Sequence, residues 1–240
     1  MNIALVLSGG RGERIGNEIP KQYIEVGGKP IIAYCLEVIT GHEQIDALQI
    51  VADTAWHSMI KNVLRSINAV EKFQGFSIPG KKRQLSILNG LDDIQKYAHG
   101  DDVILIHDAA RPLLSKLQIT ACLQGIVGHD GVMPVLPMKD TVYFSEDGRQ
   151  VSSLLDRSCI FAGQAPEVFR LGKYIAANNA LLPERIQSVN GSTEPAILAG
   201  MDIAMIPGDE NNFKITTPED LKRFRDLKGK SDESICFGGN

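Results

Sequence analysis

Short apolar runs alternate with amphipathic stretches of helix length along most of the chain. Ile3 to Leu7 is a continuous apolar run that stops at Ser8-Gly9-Gly10, as expected of a strand buried on both faces. Pro30 opens a stretch of helical character that reaches Ile39 and ends near Gly41. Ala47 to Ala52 reads as a second strand, Trp56 to Ile67 as a helix, and Phe76 to Pro79 as a short third strand. Arg83 to Tyr97 reads as a helix followed by His99-Gly100, and Val103 to Ile106 as a strand running into His107-Asp108. Repeated strand–helix units predict an α/β fold, with a mainly parallel twisted sheet covered by helices on both faces. Such sheets bind ligands beyond the carboxyl ends of their strands. Two of the expected strands end on the most chemical-looking loops of the chain, at Ser8 and at His107-Asp108.

The rhythm breaks between about residues 138 and 159. Thr141 to Phe144, a turn at Glu146-Asp147-Gly148 and Val151 to Leu155 make an alternating pattern, which predicts a β-hairpin. Because it interrupts the strand–helix units, it is expected to project as an arm. Residues 1–228 are expected to form one domain, and the polar, Gly-rich stretch 229–240 a flexible tail.

Composition narrows the classes. Apolar residues make up 43% and charged residues 22% of the 240, with a formal net charge of -4; these are ordinary globular values. The mild acidity argues against non-specific nucleic-acid binding, which needs a broad basic face. No apolar run approaches the roughly 20 residues that span a bilayer, and the N-terminus has no signal-peptide pattern. Cys35, Cys122, Cys159 and Cys236 are widely spaced, so neither a zinc site nor a disulfide framework is expected, and the thiols suit a cytoplasmic protein.

The loop after the first strand carries the first candidate chemistry. Ser8-Gly9-Gly10-Arg11-Gly12-Glu13-Arg14 offers glycines that let a backbone approach an anion, and Arg11, Arg14 and Lys21 add charge. The glycine spacing misses the dinucleotide pattern by one residue, and no Gly-Lys-Ser/Thr ending marks an ATPase P-loop. Three cations near a glycine turn point instead to a polyphosphate site.

Here a resemblance becomes specific. The loop, followed by Pro20-Lys21-Gln22-Tyr23, resembles the signature of the 2-C-methyl-D-erythritol 4-phosphate cytidylyltransferase family, which includes the related ribitol-5-phosphate cytidylyltransferases. The resemblance continues through Arg83-Gln84-Leu85-Ser86 with Gly90-Leu91, His107 to Pro112, Asp140-Thr141, Asp156-Arg157, Gln164-Ala165-Pro166, and Lys214-Ile215-Thr216 with Pro218-Glu219-Asp220. It implies a single-domain, Rossmann-like nucleotidyltransferase fold and the transfer of CMP from CTP to a small polyol phosphate.

The resemblance also implies roles. Arg14 and Lys21 match the residues that contact the nucleotide phosphates and stabilise the transition state. Ser8, Gly9, Gly10, Arg11, Gly12, Gly80, Ser86 and Ala109 match the cytidine triphosphate pocket. Asp108 matches the carboxylate that binds magnesium; apart from the resemblance, Glu210 or Asp209, ahead of Lys214, reads as a second acidic ligand. Arg111, Thr141, Arg157 and Lys214 match the contacts to the acceptor. In the family the threonine and the second arginine sit on an arm that reaches into a neighbouring subunit, which implies a homodimer. His107 reads as structural. No general base is expected, because a phosphate monoester is largely dianionic at neutral pH, with a second pKa of about 6, and attacks phosphorus once aligned.

Within the family, Ser8-Gly9-Gly10, Trp56 and Gly163-Gln164-Ala165-Pro166 lie nearer the ribitol branch. Lys21-Gln22-Tyr23 and His107 to Arg111 suit the methylerythritol branch, and methylerythritol phosphate is the acceptor expected first. The family's Thr-Asp pair appears as Thr193-Glu194, followed by Pro195. Two readings from other classes are an NAD-dependent oxidoreductase, disfavoured by the glycine spacing, and a nucleotide-binding regulatory module without catalysis, disfavoured by the presence of Arg14, Lys21 and Asp108.

Overall fold

Every residue of the first expected strand from Ile3 to Val6 is fully buried, and its side chains divide between two separate cores. This follows from the two-residue period of a strand covered on both faces. In a computed structural model of the chain, residues 1–10 and 19–233 are described. The strand is β1 (Asn2–Leu7), and the chain then makes a tight hairpin, β2 (Glu25–Val26) and β3 (Lys29–Pro30). Gly27 and Gly28 between them have φ of 57° and 75°, the left-handed pair that a two-residue hairpin turn requires. The next elements are α1 (Ile31–Thr40), β4 (Ala47–Val51), α2 (His57–Ser66), β5 (Phe73–Ser77), α3 (Arg83–Ile94) and β6 (Val103–Asp108). After them come α4 (Lys116–Gly125), β7 (Gly131–Pro137), β8 (Val142–Phe144), β9 (Ser153–Leu155), β10 (Phe161–Gly163) and β11 (Glu167–Arg170). The chain continues with α5 (Leu171–Asn179), α6 (Glu194–Leu198), β12 (Ile203–Pro207) and α7 (Pro218–Glu233).

The main sheet runs β5–β4–β1–β6–β11–β7, with β10 and β12 also paired to β7. β1, β4, β5 and β6 are mutually parallel, whereas β11 is antiparallel to both β6 and β7. Ala4 and Val6 of β1, Leu48 and Ile50 of β4, and Leu105 of β6 face a core closed by α1, α2 and α4. Ile3, Leu5, Ile104 and Ile106 face the opposite core, closed by Ile87 and Leu91 of α3 and Tyr174 of α5. The expected α/β architecture is thus the observed one.

Boundaries differ where tertiary pairing or capping decides them. β5 starts at Phe73 rather than Phe76 because it pairs along β4 from Leu48. The stretch from Trp56 divides into a 3-10 turn at Thr54–Trp56, capped by Asp53 accepting from the Ala55 N–H at 3.0 Å, and then α2. β6 extends through His107-Asp108, since both pair with β1. The arm forms as read: β8 and β9 pair antiparallel as a separate two-stranded sheet. α7 takes in residues 229–233 of the expected tail, and residues 234–240 lie outside the described residues.

Candidate active site at the carboxyl ends of β1 and β6

β1 and β6 are neighbours, with Leu7 opposite Asp108, so the two loops singled out in the sequence meet. Ser8 is buried at the end of β1. Its hydroxyl donates to the Tyr23 hydroxyl at 2.8 Å, Tyr23 donates to the Ser8 carbonyl at 2.9 Å, and Gln22 donates to the carbonyls of Ser8 and Gly10, both at 2.8 Å. The Pro20-Lys21-Gln22-Tyr23 segment therefore braces the base of the glycine loop. Gly9 has a steric reason: a Cβ there would stand 2.5 Å from Pro79 Cβ. The same contact brings the turn before α3 against the loop. In that turn Gly80 donates its N–H to the Ser86 hydroxyl at 3.0 Å, and a Cβ on Gly80 would collide with Leu85. Ala109 is buried and donates its N–H to Leu7 at 3.0 Å. Lys21 opens a 3-10 turn, Lys21–Tyr23, and is half-buried. Arg11, Gly12 and Arg14 lie outside the described residues.

Asp108 is the hub of the site. One carboxylate oxygen accepts from Arg83 Nε at 3.3 Å and Nη2 at 3.2 Å. The other lies 3.0 Å from Lys214 Nζ and 3.6 Å from Arg111 Nε. Burial alone would push this carboxyl up. The Arg83, Lys214 and Arg111 charges outweigh burial and hold it well below the usual carboxylate range. Asp108 is therefore ionised across the working pH range.

Each cation has a local reason for its position. Arg83 opens α3. Arg111 follows Asp108 in a tight turn, its N–H bonded to the Asp108 carbonyl at 2.9 Å, and its Nη1 donates to the Asn212 carbonyl at 2.8 Å. Lys214 is fixed by its neighbours: Ile215 is fully buried and donates its N–H to the Ala110 carbonyl at 2.9 Å. Behind it, Thr217 and Asp220 exchange side-chain-to-backbone hydrogen bonds at 3.2 and 2.9 Å, a capping box that starts α7. Gln164 exchanges hydrogen bonds of 2.9 and 3.0 Å with Asp209 and so holds the loop ahead of Lys214.

His107 is fully buried, and desolvation lowers its pKa to about 4. Its Nε2 lies 3.0 Å from the Arg111 carbonyl, which only accepts, so the neutral ring donates there and braces the turn. This agrees with a structural role.

Not every expected residue joins the cluster. Glu210 forms an exposed ion pair with Lys139 instead of turning to Asp108. Among the described residues no group of three His, Cys, Asp or Glu side chains could hold a metal ion alone. Thr141 is exposed on the arm, and Arg157 donates to the Lys139 carbonyl at 2.6 Å. Neither touches the Asp108 cluster within the chain. Two members of the cluster are not among the site residues that the sequence points to. Arg83 stands in a sequence motif, and a cation opening a helix beside a strand-end aspartate is its usable signal. Glu167, on β11, lies 3.8 Å from Arg83, and nothing local in the sequence marks it.

A carboxylate ringed by cations at the carboxyl end of a parallel strand, beside Ser8-Gly9-Gly10, is an arrangement of the class of α/β proteins that bind anionic ligands at strand ends. Comparisons with known proteins narrow this. A sequence model of the 2-C-methyl-D-erythritol 4-phosphate cytidylyltransferase family matches residues 2–225. The chain is 29% identical to a ribitol-5-phosphate cytidylyltransferase of Streptococcus agalactiae, covering 99% of each chain. It is 32% identical to a 2-C-methyl-D-erythritol 4-phosphate cytidylyltransferase of Geobacillus kaustophilus, covering 91% of this chain and 92% of the relative. A crystal structure of a 4-diphosphocytidyl-2C-methyl-D-erythritol synthase superimposes with a TM-score of 0.76 at 26% identity, covering 94% and 97% of the two chains. The chain belongs to the 2-C-methyl-D-erythritol 4-phosphate cytidylyltransferase family. It is a cytidylyltransferase that uses CTP, and the resemblance read from its motifs is correct.

Proposed function

We propose that the chain transfers CMP from CTP to 2-C-methyl-D-erythritol 4-phosphate, releasing pyrophosphate and forming 4-diphosphocytidyl-2-C-methyl-D-erythritol, a step of isoprenoid precursor synthesis. The observation that carries this reading is the Asp108 carboxylate with Lys214, Arg83 and Arg111 at 3.0, 3.2 and 3.6 Å, at the end of the strand beside Ser8. Arg111 and Lys214 bind the acceptor phosphate by charge-assisted hydrogen bonds. Lys21 and Arg14 neutralise charge that builds on the nucleotide phosphates as the α-phosphorus is attacked. Ser8 to Gly10, with Arg11, Gly12, Gly80, Ser86 and Ala109, enclose the nucleotide.

Magnesium fits the donor set as a shared ligand. It takes one or two carboxylates together with phosphate oxygens and water, and Asp108 is an ionised carboxylate set among phosphate-binding cations. When bound, the ion neutralises charge on the nucleotide phosphates; Glu210, paired with Lys139, is the weaker candidate beside it.

A second reading has its own support. Ser8-Gly9-Gly10 and the streptococcal relative favour D-ribitol 5-phosphate and a CDP-ribitol product. Pyrophosphate release from CTP and magnesium, measured over a panel of polyol phosphates, separates the two. The highest kcat/KM is expected with methylerythritol phosphate; the highest with ribitol 5-phosphate moves the acceptor to the second reading. No release with any acceptor overturns both.

The arm supports a homodimer. Tyr143, Leu154 and Phe144 are 59%, 66% and 47% exposed in the single chain, apolar surface that a partner subunit would cover. We place Thr141 and Arg157 in the partner subunit's acceptor site. Arg157→Ala is expected to raise the acceptor KM about tenfold or more while the CTP KM moves little. Steady-state kinetics with each substrate varied checks this; a larger shift in the CTP KM removes Arg157 from the acceptor site. The reduced thiols Cys35, Cys122 and Cys159 accord with a cytoplasmic location, and no helix among the described residues is long and apolar enough to cross a membrane.

A further inference from the structure

Trp56, the one tryptophan of the chain, lies outside the Asp108 cluster, yet a single residue joins it to the glycine loop. Its ring stacks on that of Tyr23, with centroids 4.2 Å apart and planes 20° from parallel. Tyr23 is buried, and its hydroxyl accepts from the Ser8 hydroxyl at 2.8 Å and donates to the Ser8 carbonyl at 2.9 Å. One tyrosine thus presents a flat face to Trp56 and a hydroxyl to the strand end at which Gly9 and Gly10 begin.

Trp56 is anchored on both sides. It closes the 3-10 turn Thr54–Trp56, and its N–H donates to the Asp53 carbonyl at 3.0 Å. Next to it, the His57 ring stacks on Phe76 of β5 with centroids 3.7 Å apart and lies 3.0 Å from the Ala52 carbonyl. Tyr23 has open space on one side. A cavity of about 980 Å³ lies beside the pair, with Tyr23 and Trp56 in its wall together with Ile24, Ala33, Met59 and Val63. Removing the indole would extend that space along the tyrosine, and the ring would lose its stacking contacts outright. Hydrogen bonds weaken steeply as they bend, so a tyrosine that tilts into the cavity loses its hold on Ser8.

We infer that Trp56 is a positioning residue for CTP: by stacking on Tyr23 it holds the hydroxyl that fixes Ser8, and with it the glycine loop that receives the nucleotide. The inference rests on the proposed place of Ser8 to Gly10 around the nucleotide and adds what orders them. It is independent of which polyol phosphate is the acceptor.

The test reads CTP directly. Equilibrium binding of CTP with magnesium, and steady-state KM values for CTP and for the best acceptor of the panel, are compared in wild type and variants. Trp56→Ala and Tyr23→Phe are each expected to weaken CTP binding by about threefold to tenfold, the scale of one lost hydrogen bond, while the acceptor KM stays near its wild-type value. Trp56→Leu, which keeps apolar bulk without a flat face, is expected to behave as Trp56→Ala, and Trp56→Phe, which keeps a flat face, as wild type. Combining Trp56→Ala with Tyr23→Phe is expected to add almost nothing to either single change, because both act through one hydroxyl. A tryptophan that only stabilised the fold would lower the unfolding temperature without this pattern. Normal CTP binding in Trp56→Ala, equal shifts in both KM values, or losses that add in the double variant each overturn the inference. Should Trp56→Ala fail to fold, Trp56→Leu and Tyr23→Phe carry the same comparison. Gly9→Ala, whose Cβ would stand 2.5 Å from Pro79 Cβ, perturbs the loop itself. Normal CTP affinity there removes the loop from the nucleotide site and the inference with it; weakened affinity there beside unaltered Trp56 variants removes the inference alone.

Discussion

Asp108→Asn is expected to lower kcat/KM by at least about 10²–10³-fold for CTP and acceptor alike, the scale seen when one preorganised charge is taken from a phosphoryl-transfer or oxyanion site. Asparagine keeps the size and one acceptor oxygen but not the charge. Arg83, Arg111 and Lys214 would then face one another without an anion between them, and their geometry at the reacting phosphates would loosen. Pyrophosphate release and thermal unfolding, read on the same preparation, check both consequences; near-normal turnover would remove Asp108 from the site. The expected stability loss is about 3 kcal/mol, the low end for breaking a buried ion pair, because Arg83 and Lys214 keep 30% and 33% of their side chains in solvent.

The sign of the pH effect follows from the direction of the shift. Asp108 has a folded-state pKa below its unfolded value, so its stabilisation is complete above about pH 4, the ordinary carboxylate value, and is lost as pH falls below it. Glu167 is shifted upward and works in the opposite direction, costing stability as pH rises through the carboxylate range. Unfolding curves between about pH 2 and pH 5 are therefore expected to be shallower for Asp108→Asn than for wild type. Identical slopes would mean that the cations do not act on Asp108 in solution.

Lys21→Ala is expected to keep the fold and lose most turnover, again by about 10²–10³-fold. The backbone of the Lys21–Tyr23 turn is held by Tyr23 and Gln22 through their bonds to Ser8 and Gly10. The scaffold of the glycine loop therefore survives the truncation while a cation beside the triphosphate is lost. Circular dichroism with steady-state kinetics separates the two effects. A folded variant with near-normal kcat would show that the phosphates are neutralised by other groups.

Much of this molecule was legible along the chain because strand burial writes a local signature. The continuous run Ile3 to Leu7 identified β1 and its position beside Ser8, since a strand covered on both faces needs apolar residues at every position. The arm was legible for the opposite reason: its alternation and its Asp147-Gly148 turn are those of a strand pair outside the main core. Helix α7 beyond residue 228 was not, because its polar sequence carries little apolar periodicity and its start is set by the Thr217–Asp220 capping box.

What the linear chain determined by itself is the α/β class, the family, and the motif residues that gather at the ends of β1 and β6; these depend on residue type and spacing within single segments. Only the tertiary structure decided that Arg83 and Glu167 share a network with Asp108, that Glu210 turns to Lys139, and that Thr141 and Arg157 stay apart from the cluster within one chain. Those facts depend on strand order and on which side chains meet across α3, β6 and β11, far apart in sequence. Charge pairing at 3–4 Å is a property of the folded surface, and no local pattern encodes it.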